Sequence, residues 1–125
     1  MNVISGVFGA AFAFLAVALG AFGAHGLEGR VSPNDLAIFE TGARYQMYHA
    51  LALLLLALLS PGLPEKLVRI SGLAFILGIL LFSGSLYLLV LTGVRGLGAV
   101  TPFGGVSFLV GWGTLAWAFF RRDHV

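Results

Sequence analysis

The chain contains no cysteine in its 125 residues. That excludes disulfides, thiolate metal sites and thiol redox chemistry, and says nothing about compartment. Charge is scarce as well, with Asp, Glu, Lys and Arg making up only 10%. Each helix of a water-soluble fold needs a polar face, and there is too little charge here to supply them. The seven basic residues are scattered over loops and one tail rather than gathered into a patch, which argues against nucleic acid as a partner. No Lys or Arg precedes the first apolar stretch, and that stretch is about twice the length of a signal peptide's hydrophobic region. It therefore reads as a retained helix rather than a cleaved leader. Proline occurs four times, always outside the apolar runs: Pro33, Pro61, Pro64 and Pro102.

What the chain does have is apolar length. It is 59% hydrophobic with a mean hydropathy of +1.02, and four runs (Asn2–Ala24, Thr41–Ser60, Leu67–Thr92, Phe103–Phe120) leave little of it over. A helix crosses the roughly 30 Å hydrocarbon core of a bilayer with about 20 apolar residues. The expectation is an all-α integral membrane four-helix bundle with short loops. Residues 1–125 form a single membrane domain, with helices at 2–24, 34–60, 67–92 and 103–120, multi-pass in the cell (inner) membrane.

In the first run, Gly6, Gly9, Ala13, Ala16, Gly20 and Gly23 are spaced alternately three and four apart. That is a heptad seam of small side chains, along which another helix backbone can approach closely. The connector that follows ends in Ser32-Pro33, an N-cap followed by proline at the first helical position, with Asp35 in the first turn. Pro61-Gly62-Leu63-Pro64 stops the second helix. The third run is long enough to tilt or to project beyond the bilayer. Pro102 opens the fourth, which ends at Arg121-Arg122.

The second run departs from a simple span in Glu40-Thr41-Gly42-Ala43-Arg44-Tyr45-Gln46-Met47-Tyr48-His49. Glu40 and Arg44 lie about 40° apart on one helix face, in the favourable order for an intrahelical ion pair. Counted back from Ser60 at 1.5 Å per residue, Arg44 is about 24 Å along the helix, within snorkelling reach of the interface, and His49 about 16 Å, near the midplane. His49 points away from Glu40 and towards Tyr45 and Gln46. Ser83, Ser85 and Tyr87 in the third run and His25, Arg95 and Thr101 in the connectors are the available partners. These groups form either a set of interhelical hydrogen bonds or the lining of a ligand or ion site. No His-x-x-His or Glu-x-x-His spacing supports a metal or haem at His25 and His49, and no cofactor is expected. Nor does Glu40 match the proton-coupling carboxylate of small four-helix multidrug exporters. That carboxylate stands unpaired inside the first span, whereas Glu40 lies near the interface beside an arginine.

The segments Gly20–Leu27, Phe39–Ala50, Phe82–Tyr87, Gly98–Gly105 and Gly111-Trp112, in this order, resemble the small bacterial membrane proteins called domain of unknown function 423, which also have a eukaryotic transmembrane branch. The resemblance touches all four spans. Gly42 reads as a departure from the family's pattern that slightly weakens the helix. What the resemblance implies is a four-helix membrane protein without assigned activity, and it assigns no catalytic residues. Two functional classes remain. One is a non-enzymatic structural or partner-binding protein of the bilayer, acting with a membrane partner or as a homo-oligomer. The other is a translocator or binder of small solutes, protons or lipid that uses the polar cluster of the second helix. No nucleophile–base motif points to an enzyme.

Lys and Arg counts set orientation. The N-terminus, second loop and C-terminus share Lys66, Arg69, Arg121 and Arg122, whereas the first and third loops have Arg30, Arg95 and, inside the helix, Arg44. Both termini are therefore expected in the cytoplasm. A C-terminal reporter should be active there, and a cysteine placed in the first loop should react only from outside. The reverse labelling pattern would overturn the orientation.

Overall fold

Hydrocarbon offers no hydrogen-bond partners, so an apolar run of bilayer length satisfies its backbone by coiling into a helix. The computed structural model describes residues 2–122, Asn2 by its backbone alone. It has α1 at Asn2–Phe22, α2 at Pro33–Leu59, α3 at Glu65–Gly78, α4 at Gly84–Thr92 and α5 at Thr101–Phe120. Among the described residues there is no strand, only an isolated bridge between Glu28 and Val31. Four stretches are long and apolar enough to cross a membrane: Val3–Leu27, Pro33–Gly62, Glu65–Thr92 and Arg95–Phe120. The fold is an all-α membrane bundle of four crossings.

The ends of these helices follow from local chemistry. Ser32 caps α2 by accepting the Asp35 N–H at 3.0 Å, and Pro33 takes the first helical position. Gly93 closes α4 at φ 76°, a left-handed conformation that suits glycine, and its N–H donates to the Leu89 carbonyl at 2.9 Å.

Two features differ from the expected continuous helices. α1 runs on into a π-helical turn at Gly23–Leu27, and the third crossing is interrupted by another at Ile79–Ser83. In the second, the Gly84 N–H reaches back five residues to the Ile79 carbonyl. Such a wide turn takes up one extra residue and rephases the helix beyond it. α5 packs directly on this turn, because a Cβ on Gly104 would overlap the backbone of Phe82. The third crossing also starts earlier than expected, at Glu65, and α5 at Thr101.

α1 packs along α2, α3 along α5, and α2 also meets α4 and the π turn between α3 and α4. Phe39, Phe75, Leu53, Leu56 and Val68 are fully enclosed between the helices. The small residues of α1 lie along α2. Gly9, Ala16 and Gly23 are buried, and Gly6, Ala13 and Gly20 are half-buried. A Cβ on Gly9 would stand 2.9 Å from the Ala50 carbonyl oxygen, and one on Gly23 would stand 3.0 Å from the Phe39 ring. At Gly6 and Gly20 the nearest neighbours, Ala57 and Ala43, would be 3.8 and 4.0 Å away. Close helix approach matters here because lipid supplies no hydrophobic drive for pairing.

Replacing Ala16 with Leu should therefore lower stability by about 1–3 kcal/mol through overpacking. Ala10→Leu, on the exposed face of α1, should leave thermal unfolding in micelles unchanged. Equal melting temperatures for both variants would contradict a tight α1–α2 seam.

Candidate functional site

Helix α2 holds more polar side chains than any other helix, and its neighbours divide them into three groups. At mid-helix, His49 is 4% exposed. The indole N–H of Trp112 on α5 donates to His49 Nε2 at 3.0 Å. This assigns the ring proton to Nδ1, which donates to the Tyr45 carbonyl at 2.7 Å. The Phe108 ring stacks on the imidazole with centroids 3.5 Å apart and planes 5° from parallel. Phe75 closes another side at 5.6 Å. Tyr45 lies against Phe82 at 4.8 Å and against His49 at 6.3 Å. Rings thus fill the space between α2 and α5, and both nitrogens of His49 are bonded. The expected neighbour Gln46 takes no part in this.

Gln46 faces α1 and α4 instead. Its Nε2 donates to the Phe12 carbonyl at 2.8 Å, and its Oε1 accepts the Tyr87 hydroxyl at 2.7 Å. One turn earlier, the Ser83 hydroxyl donates to the Gly42 carbonyl at 2.6 Å. Gly42 is more than a weak point in the helix. A Cβ there would stand 2.9 Å from the Tyr87 ring, so glycine lets α4 lie close. Ser85 and Thr101 share a hydrogen bond of 2.5 Å between α4 and α5. Sequence reasoning missed Ser71 and Ser107. Ser71 donates to the Gly111 carbonyl at 2.8 Å, and Ser107 donates to the Ala74 carbonyl at 2.7 Å. Lone serines within apolar runs were the available signal.

At the end that carries the first and third loops, Arg95 grips Asp35 with two bonds of 2.9 Å each. The sequence suggested Arg95 as a neighbour of Glu40. Two of its guanidinium N–H groups bond Asp35 instead, whose carboxylate accepts both in a bidentate geometry. Glu40, Arg44 and His25 are exposed, and among the described residues none of the three has a hydrogen bond or ion pair. The expected Glu40–Arg44 bond is not formed among the described residues, and both side chains project from the uncovered face of α2. Beside them Tyr45 and Tyr48 are 37% and 51% exposed, and neither hydroxyl has a hydrogen bond among the described residues. A charge at the bilayer centre costs about 2.5–3.5 kcal/mol on insertion scales and less towards the interface. Among the described residues no three His, Asp or Glu side chains come together as metal ligands. The residues named from sequence therefore do not form one cluster. They form an aromatic wedge around His49, a ladder of interhelical hydrogen bonds, and an open charged face.

Residues 19–105 match the family described as Protein of unknown function (DUF423). The chain belongs to the DUF423 family. It is 48% identical over 115 residues to the UPF0382 membrane protein SAB0533 of Staphylococcus aureus (strain bovine RF122 / ET3-1), covering 92% of this chain and 93% of that one. It is 50% identical over 107 residues to the UPF0382 membrane protein YwdK of Bacillus subtilis (strain 168), covering 85% and 87%. No solved structure matches the chain. The DUF423 relatives are named as membrane proteins, in keeping with the four crossings, and their names indicate no activity.

In this DUF423 chain the Gln46–Tyr87 bond can be measured by a double-mutant cycle of Gln46→Leu and Tyr87→Phe. Coupling of about 0.6 kcal/mol is expected, the average for interhelical hydrogen bonds in membranes, with about 1.7 kcal/mol as the upper end. Strict additivity of the two substitutions would show that the bond contributes nothing.

Proposed function

We propose that this protein is a non-enzymatic structural or partner-binding protein of the cell (inner) membrane, a single membrane domain with both termini in the cytoplasm. In this reading the small residues of α1 and the interior polar groups fix the bundle, and the uncovered face of α2 meets a partner in the bilayer. One observation carries the proposal: among the described residues the interior polar side chains, Ser5 excepted, are bonded to one another or to helix carbonyls, whereas the charges of Glu40 and Arg44 stand unpaired on the outside. A translocation path would instead require interior groups able to release their protein partners to a solute. At His49 that means breaking a bond to Trp112 or to the Tyr45 carbonyl.

Purified protein in liposomes tests this. Proton and solute flux should equal that of empty vesicles, and His49→Gln should lower thermal stability without creating flux. Flux carried by the unaltered protein and changed in a folded His49→Gln variant would favour translocation instead.

A further inference from the structure

The open face of α2 has the features of a self-complementary contact. Glu40 and Arg44 are one turn apart, about 6 Å along the helix axis. Helical side chains lean towards the N-terminus, and the longer arginine side chain is able to reach back about one turn towards the depth of Glu40. Elsewhere in the same chain this spacing and order close into an ion pair: Glu65 and Arg69 approach to 3.9 Å. Among the described residues Glu40 and Arg44 remain apart, and the hydroxyls of Tyr45 and Tyr48 beside them have no partner either. Further along, the face continues in exposed Leu51, Leu55 and Leu58. Its lower half suits lipid or protein equally, whereas its upper half, towards the interface, presents one negative charge, one positive charge and two hydroxyls that no group among the described residues pairs.

We propose that this face docks on a second copy of the chain, forming a two-fold dimer in which Glu40 of each protomer pairs with Arg44 of the other. The inference rests on the partner-binding reading above and names the partner. Charge complementarity selects the occupant. A two-fold axis along the membrane normal sets the face against itself at equal depth, keeps both copies in the same orientation and satisfies both charges twice. An anionic lipid headgroup would satisfy Arg44 but would meet the Glu40 carboxylate one turn away.

The absence of cysteine allows single-cysteine crosslinking without further changes. Tyr48→Cys should form a disulfide-linked dimer in native membranes, and Phe14→Cys, on the exposed side of α1, should not. Glu40→Arg and Arg44→Glu, each introduced alone, should weaken the dimer at least about tenfold by setting like charges opposite each other. Co-expressing the two variants should restore it, because all-basic and all-acidic faces then meet. That rescue separates lost pairing from lost folding.

A protein that stays monomeric at every density in the bilayer would overturn the proposal. So would a dimer indifferent to both substitutions, or crosslinking through Phe14→Cys in preference to Tyr48→Cys. A monomer that retains phosphatidylglycerol from mixed phosphatidylcholine vesicles, and loses it in Arg44→Glu, would overturn it in favour of lipid. These outcomes are independent of the liposome flux measurement, so failure of the dimer and failure of the non-enzymatic reading are distinguishable.

Discussion

Inside a bilayer a polar group has no water to fall back on, and the architecture of this bundle follows from that constraint. Each interior hydroxyl, amide and imidazole that bonds at mid-membrane does so across or along the helices. The acceptors are often backbone carbonyls: those of Phe12, Gly42, Ala74 and Gly111 accept side chains from neighbouring helices. A carbonyl already engaged within its helix retains a second lone pair, so such contacts join two helices without breaking either. The exception among the described residues is the buried Ser5 hydroxyl near the start of α1, which has no hydrogen-bond partner.

These bonds require close approach, and close approach requires small residues. Glycines stand at the positions where helices come nearest: Gly9 against α2, Gly42 against Tyr87, and Gly104 against the backbone of Phe82. Where the helices diverge, between α2 and α5, the protein uses the opposite device. His49, Phe108, Tyr45 and Trp112 form a wedge of rings in contact with one another. Small residues and large rings thus set the two spacings of the bundle, and polar bonds fix its register.

Much of this was legible in the sequence and some was not, for physical reasons. The four crossings could be read because apolar length is a property of one segment and a bilayer has one thickness. The α1 stripe could be read as a pattern because helical periodicity places its members on one face. The π turns could not, since nothing in the local sequence marks the extra residue at Ile79–Ser83, which lies where α5 packs. Pairing partners were the least legible. Nothing in the sequence says that Arg95 takes Asp35 rather than Glu40, or that Trp112 rather than Gln46 completes His49, because those choices depend on where separate helices meet. Gly42 makes the same point: read alone it is a poor helix former, but against Tyr87 it is a spacing requirement.

The bidentate clasp between Asp35 and Arg95 joins residues on opposite sides of the third crossing, and chain order makes it a late event. Synthesis runs from the N-terminus, so α1 and α2 exist as a pair before Arg95 has been made. Trp112 emerges later still, together with Phe108 and the acceptor carbonyl of Gly111. Until α5 arrives, Nε2 of His49 lacks its Trp112 donor and the Ser71 hydroxyl lacks the Gly111 carbonyl. A chain of the first three crossings alone would thus lack these partners along the surface that α5 covers, and seating the last helix supplies them together.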